Sequence, residues 1–223
     1  MKRFNWALYS LLFFNLLPII GVLFYNWDIF PVIYIYFLET VVIGFFGLLK
    51  IIVAEGQDYC YEKSFIADVL LSQIFPYLNS TSSKGAVVMS YFISSIIFYG
   101  ILFGLCLLAF TPQNLALAWN TNYLIIVLGL IISHGISFFQ NYIGRKEYYF
   151  AVPYGEMIPP FDRVLMMFLV FASGAFTIYQ LDSSILLLVA LIVLKIIFDI
   201  IAHYQDHHRF MDVLENYGLA EHH

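Results

Sequence analysis

Six stretches of the chain, roughly 5–25, 30–54, 86–110, 123–143, 164–181 and 183–204, are almost unbroken runs of apolar residues. A helix of about 20 apolar residues crosses a bilayer, so each run is long enough to span with some tilt. The runs are continuous and do not alternate with period two, as the strands of a membrane barrel would. They predict helices throughout. The last two meet at Leu181 and Asp182, which predicts a tight helical hairpin there. The fold expected is all-α, a polytopic membrane bundle of about six transmembrane helices. Residues 1–208 would form one domain and 209–223 a cytoplasmic tail.

Composition sharpens this reading. Of 223 residues, 62% are hydrophobic and 11% are charged, against about 25% charged in an ordinary globular domain. Ten Lys/Arg and fifteen Asp/Glu cannot cover the surface of a water-soluble fold of this size. A lipid bilayer is therefore the first partner implied. The formal charge is −5 and the basic residues are scattered, so nucleic acid is excluded as a partner.

The scatter has an order when sorted by loop. Lys2, Arg3, Lys50, Lys63, Lys84, Arg145, Lys146, Arg163 and Arg209 all fall on one side of the alternating runs. The opposite loops, around Asp28, 111–122 and Asp182, contain no Lys or Arg. By the positive-inside rule both termini are then cytoplasmic.

Two of the loops on the basic side have apolar content. In 64–78, Phe65, Val69, Leu70, Ile74 and Phe75 are interrupted by Asp68 and Gln73, which fits a short amphipathic helix on the membrane surface or under the bundle. In 144–163, Pro159 and Pro160 remove two adjacent backbone donors and predict an extended approach to the fifth helix. Either stretch could seat a protein partner.

Candidate chemistry follows from the cost of intramembrane charge. An ionisable side chain at the bilayer centre costs roughly 2.5–3.5 kcal/mol on insertion scales, so each one asks for a partner or a wet cavity. Glu39 lies near the middle of the second run and His134 at similar depth in the fourth. Lys195 and Asp199 lie in the sixth, where Lys195, Asp199, His203 and His207 recur at i, i+4 and form one stripe. His134, Ser137 and Asn141 share a face of the fourth. Gly44 and Gly47 after Glu39, and Gly135 beside His134, permit close helix packing. These positions predict a polar seam between the second, fourth and sixth helices.

Three roles are open to the seam. It can fix the bundle, with Lys195 and Asp199 neutralising each other and Glu39 paired with His134 or Lys195. It can take up a cation or a proton, with Glu39 and Lys195 as the groups of chemical interest. It can hold a divalent metal ion on His134, Asp199 and His203, since imidazole and carboxylate at i, i+4 spacing are ordinary ligands. No H-E-x-x-H, P-loop, dinucleotide-binding glycine pattern or G-x-S-x-G accompanies them.

Several motifs together carry a resemblance. They are Asn15–Pro18 with Tyr36–Gly44, Ser133–Phe138 with Asn141, Tyr142 and Glu147, Met157–Arg163, and Lys195–Asp199 with His203. As a set they resemble a bacterial membrane family catalogued as domain of unknown function 6498. The resemblance implies an inner-membrane protein of about six helices and carries no established activity. The leading expectation is thus a membrane protein with a buried Glu/His/Lys/Asp site binding a metal ion, cation or proton. A metal-dependent intramembrane oxidase or hydrolase acting on lipid is the enzymatic alternative, with Glu39 and Lys195 as the catalytic candidates, Glu39 as general base and His134, Asp199 and His203 as ligands. A non-catalytic subunit of a membrane complex is the third.

Overall fold

A computed structural model describes residues 13, 16, 18–24, 29–56, 72–78, 82–109, 121–180, 189 and 192–201. Among the described residues the chain is helical and contains no strand. In chain order we name the helical stretch 18–24 α1, Ile29–Val53 α2, Lys84–Ala109 α3, Thr121–Ser137 α4, Pro153–Gln180 α5 and the stretch 192–201 α6. The bounds of α2, α3 and α4 follow the apolar runs closely, because a long run with few polar groups has its backbone bonds satisfied best in a helix.

Three stretches, Val32–Val53, Lys84–Leu105 and Ile125–Ile143, are long and apolar enough to cross a membrane. Their outer faces agree with that reading. On α3 the exposed side chains include Met89, Phe92, Ile93, Ile96, Ile97 and Ile101, a continuous apolar face that water would not tolerate. The expected hairpin at 181–182, the tail 209–223 and most of the first run lie outside the described residues.

α2 is the hub. It packs most extensively along α5, and next against α3 and α4. Close approach is built into its sequence: a Cβ on Gly44 would collide with the Tyr99 hydroxyl of α3, and one on Gly47 with the Pro160 ring of α5. Gly135 has only ordinary contact with Phe46 around it. Tyr hydroxyls from α3 also donate to α2 carbonyls, Tyr91 to Gly44 at 2.8 Å and Tyr99 to Thr40 at 3.3 Å. Behind them Tyr91 and Phe98 set their rings edge-on against Phe161 of α5, at centroid distances of 5.6 and 5.4 Å.

The α4 to α5 connection differs from expectation. α5 begins at Pro153, not after Arg163, and Pro159 and Pro160 lie inside it. Pro153 is suited to a first helical position, since its missing N–H would have had no intrahelical acceptor. Pro159 and Pro160 strip donors only from the carbonyls of Gly155 and Glu156, still close to the start of the helix, and the ring of Pro160 fills the space left by Gly47. The expected loop 144–163 therefore shrinks to 144–152. Val152, Tyr154, Met157, Ile158 and Phe161 from the expected stretch are buried in the chain's own core.

The basic end is held together by backbone and aromatic contacts. α4 leaves through a π-helical turn, Phe138–Ile143, closed by Gly144 N–H donating to Phe139 five residues back at 2.9 Å. Tyr142 in that turn donates to the Lys50 carbonyl at 3.0 Å. Lys84 at the head of α3 donates to the Ile52 carbonyl at 3.1 Å, and Lys50 faces Glu156 of α5 at 3.8 Å. The segment after α2 joins the same end, with Glu55 N–H on Tyr148 O at 2.8 Å and Gly56 N–H on Ala151 O at 2.9 Å. Hence α2 and α4 run toward this end while α3 and α5 leave it, and Lys50, Lys84, Arg145 and Lys146 gather there as the loop assignment expects. Of the amphipathic stretch 64–78 only 72–78 is described: residues 72–74 are helical, and Phe75 and Leu78 insert under the bundle beside Ile51 and Val87.

Candidate functional site

The site begins with Glu39. At ~1.5 Å rise per residue it stands about 16 Å up α2 from Lys50, deep among apolar side chains, and it is only 6% exposed. No isolated carboxylate is stable at such depth. Its partner is Lys195 of α6, whose ammonium donates to Glu39 Oε2.

Lys195 does not serve Glu39 alone. The i, i+4 spacing read from the sequence puts Asp199 on the same face of α6, and its Oδ2 lies 2.6 Å from the Lys195 Nζ. Asp199, 4% exposed, then takes a second cation, Arg163 Nη1 from α5. The four groups form an alternating chain, Glu39, Lys195, Asp199, Arg163, that crosses α2, α6 and α5. With all four ionised its charge sums to zero. Burying two ion pairs still costs desolvation, which mutual attraction repays only where the geometry is close and the partners are multiple.

The surroundings hold the chain in place. Lys195 Nζ sits over the Tyr36 ring, 4.7 Å from its centre. Tyr36 is one turn before Glu39 on α2, and it shares an apolar cluster with Ile33, Val164, Met167 and Ile192. Thr40 folds its hydroxyl back onto the Tyr36 carbonyl at 2.8 Å, so its polar group is spent within α2.

The motifs that carry the resemblance line the charge chain: Tyr36–Gly44 lies in the hub helix α2, Met157–Arg163 in the first half of α5, and Lys195–Asp199 on α6. The chain belongs to the family of unknown function DUF6498. That family's model matches residues 2–213, nearly the whole length, so the hub helix and all four charged residues fall inside the family domain. No curated protein and no solved structure matches the chain.

Three of the residues singled out by sequence, Glu39, Lys195 and Asp199, are brought together. His134 is not joined to them by any hydrogen bond or ion pair among the described residues; it lies half-buried on α4 with its ring 6.4 Å from that of Phe46. Ser137 and Asn141 do share a face, and the Asn141 amide donates to the Ser137 hydroxyl at 3.4 Å. His203 and His207 lie outside the described residues. Among the described residues no group of three His, Cys, Asp or Glu side chains could hold a metal ion.

The bonded chain therefore runs through α2, α5 and α6, so the fifth run joins the second and sixth in it, while His134 of α4 stands within electrostatic range of Arg163, Lys195 and Asp199. The residue missed was Arg163. Two prolines precede it, and that local pattern places it in a loop, where it counts only toward the charge asymmetry. The signal that could have found it is the three- and four-residue spacing of the apolar residues Met157, Ile158, Phe161 and Val164 around Arg163, as on one helix face; all four are buried.

Proposed function

We propose that this chain is a multi-pass protein of the bacterial inner membrane, with six spans and cytoplasmic termini, whose buried charge chain takes up and releases a proton. One observation carries the reading: a single ammonium, Lys195, is shared between two carboxylates on different helices. A proton added to Glu39 cancels the charge that ties Lys195 to α2, while Asp199 still balances the ammonium. Protonation thereby weakens the α2 to α6 link and leaves Lys195 and Arg163 to share the single charge of Asp199, a net buried charge of +1 that favours release of the proton again. Intramembrane Asp/Glu groups are the usual elements of proton relays.

A proton fits the site better than a metal ion does. Asp199 is already ion-paired with two cations, and a divalent ion brought to the same carboxylates would meet the charges of Lys195 and Arg163. The metal-dependent oxidase or hydrolase reading asks Glu39 to act as a free base, and its carboxylate is tied to Lys195.

Infrared difference spectroscopy on the protein in liposomes, between neutral and acid pH, tests the proposal. A protonated-carboxyl band should appear on acidification and vanish in Glu39→Gln. A wild-type protein without that band would sink the reading.

A further inference from the structure

The hydroxyl of Tyr36 has no hydrogen-bond partner. The residue is 2% exposed, so bulk solvent does not serve it either. An unsatisfied buried hydroxyl costs about 1–3 kcal/mol, and the great majority of such groups are paired with protein or with ordered water. A bare hydroxyl is also out of keeping with its surroundings. The charged groups of the seam are each ion-paired, and the Thr40 hydroxyl bonds to the Tyr36 carbonyl.

The position of the ring shows what would satisfy it. Lys195 Nζ stands over the ring, 4.7 Å from its centre, so the hydroxyl at the rim is beyond direct reach of the ammonium. It remains within the span of one intervening molecule that both donates and accepts. Glu39 lies one turn further along the same helix and provides carboxylate oxygens as acceptors; Asp199 provides others from α6. A buried water typically makes about three hydrogen bonds. Here the Tyr36 hydroxyl and the two carboxylates offer that number.

We infer that the seam contains a bound water molecule held between the Tyr36 hydroxyl and the Glu39, Lys195, Asp199 chain, and that this water relays a proton to Glu39: it takes one proton from a hydronium ion arriving on acidification as it gives one of its own to the carboxylate, and stays neutral water throughout. The second half rests on the proton-uptake reading above; the first does not. Tyr36 is then a positioning residue. It touches no substrate and acts by fixing the water beside Glu39.

The substitution Tyr36→Phe removes one oxygen and leaves the ring under Lys195. If the hydroxyl is dry, removing it relieves an unsatisfied group and the Tm is unchanged or rises. With water bound, the variant loses hydrogen bonds and the Tm falls, by about 2–4 °C for a chain of this size. X-ray radiolytic labelling gives a second readout, because hydroxyl radicals made from bound water oxidise adjacent side chains: Tyr36 should be labelled in the folded wild-type protein. An unchanged or raised Tm, or an unlabelled Tyr36, overturns the water site. Slower appearance of the Glu39 carboxyl band in Tyr36→Phe after a pH jump supports the donor role, and an unaltered rate removes it. A missing band in the wild type defeats the proton reading alone, since the Tm and labelling results stand without it.

Discussion

Lys195 is the residue on which the site turns, because both carboxylates lean on it. Lys195→Met leaves Glu39 and Asp199 with only Arg163 for compensation, and removing one partner of a buried pair costs about 3–5 kcal/mol. Adding Glu39→Gln removes the stranded negative charge and leaves the neutral Arg163 and Asp199 pair. The double variant should therefore unfold at a higher temperature than Lys195→Met alone, a coupling that thermal denaturation of the four members of the cycle would measure. A second residue carries backbone strain. Lys146 has φ 59°, in the left-handed region, where a side chain costs roughly 1–2 kcal/mol. Lys146→Gly should raise stability by about 1 kcal/mol, read as a higher unfolding midpoint; an equal or lower midpoint would show that the lysine side chain contributes more than its backbone costs. Neither residue's situation could be read from spacing alone. The i, i+4 relation of Lys195 and Asp199 was legible because it is local to one helix, whereas the Lys195 to Glu39 contact depends on how α2 and α6 approach.

At the scale of elements, α2 is recognisable in the sequence as an apolar run with glycines after its one carboxylate. The glycines are not equivalent to those of α3. Gly47 faces the Pro160 ring and Gly44 the Tyr99 hydroxyl, while Gly100 and Gly104 have open space where a Cβ would stand. Gly47→Ala must push α5 away and should cost about 1–3 kcal/mol as overpacking. Gly100→Ala meets nothing, and should leave stability unchanged or raise it by up to about 1 kcal/mol through helix propensity. Comparing the two variants by thermal unfolding in the same detergent separates packing from propensity, and equal effects would contradict the close α2 to α5 contact. The fifth helix shows the converse. Pro159 and Pro160 carry a strong local signal against a helix interior, and tertiary packing overrides it near the helix start, where few backbone bonds are lost and Gly47 opposite leaves room for a ring. Arg163 was misplaced for the same reason.

For the whole molecule, the charge asymmetry makes a prediction about sidedness. The ends of α2 and α4 and the starts of α3 and α5 meet at one end with Lys50, Lys84, Arg145 and Lys146, an arrangement in keeping with the loop assignment. In a Cys60→Ser, Cys106→Ser background, single cysteines at Glu55 and Lys146 should react with a membrane-impermeant reagent only from the cytoplasmic side. Cysteines at Asp28 and Asp182 should react only from the opposite side. Labelling of Glu55 and Lys146 from opposite sides would contradict both the orientation and the backbone bonding between 55–56 and 148–151.

The helical class, the membrane-spanning character of the central runs and the short set of buried charges followed from the sequence by itself, because each depends on local composition and on the cost of placing charge in hydrocarbon. Which charges meet was decided only by tertiary structure. Hydrophobic runs look alike to one another, so periodicity names the face of a helix that is polar without naming the helix it faces. The near approach of α2 and α5 at Gly47 and Pro160 brings Arg163 into the bundle and completes a neutral chain with Asp199, with His134 on α4 near these charges but not bonded to them.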